Sequence, residues 1–228
     1  MEVSEGSNGW TSMTVKAVLT DLDGTLYRSK PYEAEIKRKT LEIISEKLGV
    51  TEDHAERRLM EARKACVTLT QAIELIGVSR HYFYEELSKR LNYSKFLKPD
   101  TRIKGLMDAL HAMGLKVAII TNSGRPHALK TMEALQLPPE SVDALITSSD
   151  TEPKTSPKPY LKALEALGVK ASEAIYMGDR VEEEVKPAKL LGMKTILVSE
   201  SKVESPYVDW VIDTPFRIID LLKDLMSG

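Results

Sequence analysis

From residue 99 onward the chain alternates helical and strand-like segments, and this alternation limits the fold more than any other feature. The predicted strands are residues 117–121, 144–147, 174–177, 195–198 and 208–212. Each is a short, nearly continuous apolar run rather than an alternation of apolar and polar residues. Such runs predict a sheet buried on both faces, hence a parallel sheet with helices on each side.

The joints between these segments are nearly uniform. Gly114, Gly168 and Gly192 each end a helical pattern just before a strand-like or linking run. Glycine ends helices readily because it adopts the left-handed backbone conformation. A further strand precedes this region, in the apolar run of residues 15–22.

Between that first strand and residue 99 the sequence shows only helical patterns. Pro31 opens a helix that stops at Gly49, Thr51 caps a second helix, and a third pattern covers residues 79–91 after a short apolar turn at residues 72–76. We therefore predict a three-layer α/β core made of residues 1–28 and 99–228. An all-helical insert, residues 29–98, interrupts this core.

Composition and charge limit the classes of partner that the chain is expected to bind. The 228 residues carry a formal charge of −2 with acids and bases interleaved, and 42% of them are hydrophobic. The sequence has no basic stripe of the kind that binds a nucleic-acid polymer. No run reaches the ~18 apolar residues of a membrane span. Small molecules are the expected partners of a monomer or homodimer.

The expected location is the cytoplasm. The single cysteine, Cys66, excludes an internal disulfide and a zinc site built from cysteines, which fits a reducing compartment. Residues 1–13 are polar and acidic and lack the pattern of a signal peptide, so we interpret them as a loose leader.

Chemistry is expected where the first strand ends. Asp21 and Asp23 stand two residues apart, a spacing that in a strand points both side chains the same way. Gly24 and Thr25 then turn the chain. Both acids should lie at the carboxyl end of the strand, where open α/β sheets bind ligands.

Two further strand ends carry polar groups. Thr121 and Asn122 follow the second strand, and Pro126 then opens a helix, an arrangement suited to an anion such as phosphate. Asp179 follows a later strand and precedes three consecutive glutamates, of which Glu184 is the last. Oxygen ligands of this kind suit Mg²⁺.

A lysine completes the set. Lys158 stands between two prolines where a helix begins, and it can neutralise a nucleophilic carboxylate and a phosphoryl group. Lys154 stands in a similar context four residues earlier. We choose Lys158 because the helix follows it at once.

In their order and combination, these four motifs resemble those of the haloacid dehalogenase superfamily. The resemblance implies a Rossmann-like core with a helical cap, residues 29–98, and phosphatase activity on a small phosphate ester. It assigns Asp21 as nucleophile, Asp23 as general acid and base, and Thr121 and Asn122 as phosphoryl ligands. Lys158 would hold the nucleophile and the phosphoryl group together.

The same resemblance implies Mg²⁺ as cofactor. Its ligands would be Asp21, the main-chain carbonyl of Asp23, and Asp179. Glu184 stands where the family usually has an aspartate, and it would bind the metal either directly or through water. Details around Leu26 and Pro99 look similar to the pyrimidine 5′-nucleotidase-like branch.

Other activities remain open. A phosphomutase would need the cap to hold a bisphosphate, and a 2-haloacid dehalogenase expels a halide that needs no proton. The second aspartate, Asp23, therefore favours phosphate chemistry over dehalogenation. The substrate could be a nucleoside monophosphate or a sugar phosphate, and a non-catalytic interaction protein is the alternative outside enzymes.

Overall fold

The computed structural model describes residues 14–227. The predicted leader, residues 1–13, lies outside the described residues. Among the described helices, none has the length and apolar content needed to cross a membrane.

The core is a six-stranded parallel sheet. Its strands are β1 (Ala17–Thr20), β2 (Lys116–Ile120), β3 (Ala144–Ile146), β4 (Ala174–Gly178), β5 (Lys194–Val198) and β6 (Trp210–Ile212). Their order is β3-β2-β1-β4-β5-β6, with every neighbouring pair parallel. The predicted parallel sheet is confirmed, and the strand ends differ from the sequence prediction by one or two residues in most cases.

Six helices lie between β1 and β2: α1 (Lys30–Leu48), α2 (Glu52–Ala65), α3 (Leu69–Leu75), α4 (Arg80–Arg90), α5 (Tyr93–Phe96) and α6 (Thr101–Ala112). The later helices are α7 (Arg125–Ala134), α8 (Lys158–Leu167), α9 (Lys186–Leu190) and α10 (Ile218–Ser227). The first five helices make up the segment predicted as an all-helical insert.

Local signals explain these helix ends. The side chains of Ser29, Thr51 and Ser79 each accept a hydrogen bond from a backbone N–H in the first turn of α1, α2 and α4. Gly49, at φ 65°, ends α1 in the left-handed conformation that glycine adopts without strain.

Helix α3 replaces the apolar turn expected at residues 72–76. Thr68 and Gln71 form a reciprocal capping box at its start, in which each side chain accepts from the other residue's backbone N–H. This pair satisfies two amides that a short helix would otherwise leave unpaired. The capped turn thus continues as a helix of seven residues.

Two apolar clusters cover the two faces of the sheet. On one face, Val18 and Ile175 pack with the insert, α6 and α10. On the other, Leu19 and Tyr176 pack with α8 and α9. Residues that alternate along β1 and β4 therefore enter different clusters, which gives the three layers expected from the sequence.

The topology creates a crevice at the carboxyl edge of the sheet. The chain leaves β1 towards β2 on one side, whereas β4 lies on the other side of β1. Open α/β sheets bind ligands at such a reversal of strand order. The residues that follow β1, β2 and β4 meet there.

Candidate active site

Asp21 lies directly after β1 at the centre of the carboxyl edge. Its side chain is buried, and its backbone N–H donates to the carbonyl of Met177 at 2.9 Å, which extends the pairing with β4. Its Oδ1 forms an ion pair with the ammonium of Lys154. Its Oδ2 is buried without a hydrogen-bond partner.

Lys154, and not Lys158, reaches this carboxylate, which corrects the choice made from the sequence. Lys154 is 1% exposed and bonds both Asp21 and Glu184. Lys158 begins α8 with an exposed side chain that pairs with Glu152, which is also exposed. The lysine at the first position of that helix is therefore directed to solvent, whereas Lys154, four residues earlier, is buried.

Glu184 is a partner of the lysine. Its Oε1 lies 2.8 Å from Lys154 Nζ, and its Oε2 accepts a hydrogen bond from the hydroxyl of Tyr176 at 3.3 Å. A π-helical turn, Val181–Val185, carries it, and Glu182 and Glu183 of the same turn pair with other cations. The turn buries the third glutamate alone.

Asp179 follows β4 and approaches the turn after Asp21 closely. A Cβ on Gly24 would lie 2.5 Å from Asp179 Oδ2, and Gly24 has φ +97°, so only glycine fits there without strain. Asp179 Oδ1 is buried and accepts no hydrogen bond. Asp21, Asp179 and Glu184 each offer an oxygen within 4.8 Å of the others.

Burial and mutual repulsion destabilise the charges of these acids. Burial, followed by the nearby Glu184, raises the pKa of Asp21 well above its usual range, although Lys154 opposes the shift. Burial likewise raises the pKa of Asp179 and of Glu184. Burial by itself would lower the pKa of Lys154, but Asp21 and Glu184 together outweigh it and raise that pKa.

The cluster fits a divalent cation. Only two of the three acids, Asp21 and Glu184, pair with Lys154, and two buried oxygens of the cluster, Asp21 Oδ2 and Asp179 Oδ1, have no hydrogen-bond donor. Unpaired buried carboxylate oxygens are costly unless a metal or donor binds them. Hard oxygen donors of this type suit Mg²⁺.

Asp23 faces a group of hydroxyls instead of the acidic cluster. Its Oδ1 accepts from the hydroxyl of Tyr27, and its Oδ2 accepts from Thr121 at 3.1 Å and from Ser123 at 3.0 Å. Its side chain is thus held beside Thr121, at the carboxyl end of β2. The ends of β1 and β2 therefore lie close together, as expected.

Thr121 and Asn122 occupy the end of β2 as expected, with partly different contacts. Thr121 Oγ1 accepts from the backbone N–H of Ser123 at 3.0 Å. Asn122 Oδ1 accepts from the backbone N–H of Lys154 at 2.8 Å, and its carbonyl accepts from the hydroxyl of Tyr84 at 2.9 Å. Asn122 therefore links the backbone at Lys154 to Tyr84 of the insert.

Two residues near the site, Tyr84 and Ser123, make contacts that the sequence did not predict. Tyr84 and Ser123 lie on different elements, and their contacts with Asn122 and Asp23 arise only from folding. Tyr27 lies four residues after Asp23, and its hydrogen bond to Asp23 was also not predicted from the sequence.

Two adjoining cavities open at this edge. The smaller, of about 140 Å³, is lined by Asp21, Asp23, Thr121, Lys154 and Glu184 among others. The larger, of about 380 Å³, lies between the insert and Asp23. A reacting group in the first cavity would leave room in the second for the remainder of a substrate.

Comparisons with known proteins point to one family of hydrolases. Residues 15–192 match the family of haloacid dehalogenase-like hydrolases. The chain is 29% identical to a glyceraldehyde 3-phosphate phosphatase of Methanocaldococcus jannaschii and 28% identical to a phosphoglycolate phosphatase of Aquifex aeolicus. Both alignments cover 92% of this chain and 98% of the relative.

A solved structure shares the fold. The crystal structure of a phosphatase of the same family from Thermococcus onnurineus matches with a TM-score of 0.65 at 24% identity. The match covers 91% of this chain and 98% of that one. The two chains therefore share the α/β fold over most of their length.

Proposed function

The chain belongs to the haloacid dehalogenase-like hydrolase family and is a phosphatase of that family, and we propose that it hydrolyses small phosphate monoesters through a phosphorylated Asp21. The observation that carries the proposal is the pair of aspartates with different surroundings. Asp21 is buried against Lys154, whereas Asp23 is bonded only by hydroxyls.

Asp21 would act as the nucleophile. Its carboxylate forms a bond to phosphorus as the bond from phosphorus to the ester oxygen breaks, which leaves an aspartyl phosphate and the alcohol. Lys154 Nζ would offset negative charge on the carboxylate and on the transferring phosphoryl group. The hydroxyl of Thr121 would donate to a phosphoryl oxygen once released from Asp23.

Asp23 would move the protons. In its protonated form it gives a proton to the departing ester oxygen. As a carboxylate it then takes a proton from water, whose oxygen attacks phosphorus and releases Asp21 and inorganic phosphate. The hydroxyls of Tyr27 and Ser123 would hold the Asp23 side chain in place during both steps.

Mg²⁺ is the proposed cofactor. Asp21 Oδ2 and Asp179 Oδ1, neither of which accepts a hydrogen bond, would hold it, together with the main-chain carbonyl of Asp23. Both oxygens of Glu184 have donors already, so we propose that Glu184 fixes Lys154 and reaches the metal through water. The ion would offset the repulsion between the carboxylate and the phosphate dianion.

The insert, residues 29–98, is proposed to act as a cap over the site. Its two connections lie together, since the hydroxyl of Ser29 donates to the carbonyl of Phe96 at 3.1 Å. Contacts such as Tyr84 to Asn122 join it to the core. Closure of such a lid would exclude water while the phosphoryl group moves.

The names of the relatives support a broad class of substrate. Their names specify a triose phosphate and phosphoglycolate, both small phosphorylated metabolites. We propose a small phosphorylated metabolite as the substrate of this chain as well. The pyrimidine 5′-nucleotidase-like branch stays a prediction without support from these names.

The test is phosphate release from an aryl phosphate by the purified chain. We expect activity with Mg²⁺, its loss in excess chelator and its return when Mg²⁺ is restored. Asp21→Asn should retain below ~1% of the wild-type rate because the amide is isosteric but not nucleophilic. Asp108→Asn, a change at an exposed acid of α6, is the matched control and should keep full activity.

Two outcomes would contradict the proposal. Turnover by a folded Asp21→Asn variant at more than a few per cent of wild type, roughly the level at which another nucleophile must be invoked, would refute the role of Asp21. Undiminished activity in excess chelator would refute the role of Mg²⁺.

A further inference from the structure

We infer that the larger cavity accepts an uncharged, largely apolar alcohol, so that the preferred substrates carry no anionic group besides the phosphate. This inference rests on the proposed phosphatase reaction. We name the 380 Å³ space beside Asp23 the leaving-group cavity. Its apolar wall comprises Tyr27, Tyr32, Ile36, Leu69, Phe83 and Tyr84.

The charges around the cavity disfavour an anionic leaving group. Asp23, Glu33 and Asp179 line it, and Arg180 is its sole lysine or arginine within the described part of the chain. The guanidinium of Arg180 already pairs with Glu183 at 2.9 Å. Apart from the Mg²⁺ proposed at Asp21 and Asp179, a carboxylate in this cavity would find no free cation; it would lose water and approach Glu33.

Histidine does not change this charge balance. His127 also lines the cavity, and burial lowers the pKa of its imidazole, so the ring is neutral near pH 7. Its Nδ1 is hydrogen-bonded to the hydroxyl of Tyr93 at 2.8 Å. The side chain therefore contributes an aromatic surface rather than a positive charge.

The hydroxyl groups of the wall are committed to other protein groups. Tyr27 and Ser123 donate to Asp23, and Tyr84 donates to the carbonyl of Asn122. Tyr32 is hydrogen-bonded to Thr131 at 3.2 Å. A sugar with several hydroxyls would lose hydrogen bonds to water and find few free donors, and each hydroxyl left unpaired would weaken binding.

What the wall offers instead is ring and aliphatic surface. The rings of Phe83 and Tyr84 pack edge to face at 5.0 Å, beside the side chain of Tyr32 in the same cavity. The volume lies near the lower end of the ~300–1,000 Å³ typical of small-molecule sites, which suits one ring or a short chain. An aromatic or alicyclic alcohol fits both the surface and the size.

The first experiment compares matched pairs of esters with the wild-type protein and Mg²⁺. One pair is 4-carbamoylphenyl phosphate and 4-carboxyphenyl phosphate, which differ in charge far from the reacting bond. The other is cyclohexylmethyl phosphate and glucose 6-phosphate, both esters of a primary alcohol on a six-membered ring. We expect kcat/KM to be at least about tenfold higher for the first member of each pair.

The second experiment assigns the charge effect to a residue. Glu33→Gln should narrow the ratio of the carbamoyl to the carboxyl ester by about threefold, because one negative charge beside the cavity is removed. Glu35→Gln, on the same helix but outside the cavity lining, is the matched control and should leave the ratio unchanged. Glu33 is exposed, and the half-buried Glu35 pairs with Arg38, which is itself exposed, so both variants should fold.

The outcomes separate this inference from the proposed function. No phosphate release from any of the four esters would contradict the phosphatase itself. Release with equal or reversed preference in both pairs would overturn the inference alone. Equal narrowing of the ratio by Glu33→Gln and Glu35→Gln would remove Glu33 from the argument and point to a long-range charge effect.

Discussion

Lys154 connects three parts of the candidate active site. Its ammonium bonds Asp21 and Glu184, and its backbone N–H donates to the side chain of Asn122. Its carbonyl accepts from the hydroxyl of Tyr160, which also donates to the carbonyl of Glu184. A buried lysine held at both ends in this way has a well-defined position relative to the nucleophile.

The two neighbouring lysines allow a direct comparison. We expect Lys154→Gln to lower kcat by at least about 100-fold, since a cation aimed at developing negative charge is lost. Lys158→Gln should change kcat by less than about twofold, because it removes only an exposed ion pair. Steady-state kinetics with an aryl phosphate and saturating Mg²⁺ would measure both.

Stability must be followed in the same variants. Removing one partner of a buried ion pair costs about 3–5 kcal/mol, so Lys154→Gln should also unfold at a lower temperature. Circular dichroism would show whether the variant is folded at the assay temperature. Comparable losses of kcat in folded Lys154→Gln and Lys158→Gln would contradict the assignment.

At the scale of elements, the start of α7 lies against α4. Gly124, the residue before α7, leaves no space for a side chain, because a Cβ there would lie 2.5 Å from Tyr84 Cβ and 2.6 Å from its Cγ. This contact adjoins the hydrogen bond from Tyr84 to Asn122. The insert and the core are thus in close contact beside the active site.

A pair of glycine variants tests this contact. Gly124→Ala should destabilise the protein by about 1–3 kcal/mol, because the added methyl group must displace Tyr84. Gly105→Ala should stabilise it by about 0.5–1 kcal/mol, since Gly105 lies within α6 with nothing near its added Cβ. Urea denaturation would give both free energies of unfolding.

The Michaelis constant should also distinguish the two glycine variants. A displaced Tyr84 would alter the wall of the leaving-group cavity, so KM should rise in Gly124→Ala and stay constant in Gly105→Ala. A Gly124→Ala protein as stable as wild type, with an unchanged KM, would show that α4 tolerates a shift from α7.

At the scale of the whole molecule, one apolar cluster joins the insert to the sheet. It contains Ile43 and Phe83 of the insert together with Val18 and Ile175 of the central strands. The hydrogen bonds of Tyr32 to Thr131 and of Tyr93 to His127 cross the same boundary. The insert therefore shares its buried surface with the core.

We expect the chain to unfold in a single cooperative transition. The insert covers apolar side chains of α7, and loss of the insert would expose them. Neither part should therefore remain folded without the other. Differential scanning calorimetry in chelator should give a calorimetric enthalpy equal to the van't Hoff enthalpy. Two resolved transitions would contradict this and indicate an independently stable insert.

Much of this architecture follows from local patterns in the sequence. The six strands were predictable because each is a short apolar run between helix signals, and Pro31, Thr51 and Ser79 marked helix starts. The positions of Asp21, Asp23, Thr121 and Asp179 were predictable for one reason. They follow strands directly, and parallel strands end at the same edge of a sheet.

Other features were decided only by the tertiary structure. Lys154 and Lys158 have similar neighbours in sequence, and the path of the loop between β3 and α8 alone determines which one is buried against Asp21. The partners of Glu184 and the charge of the leaving-group cavity depend on residues far apart in the chain. Local patterns specify strands, helices and their ends, whereas the contacts among loops and across the insert form only when those elements pack together.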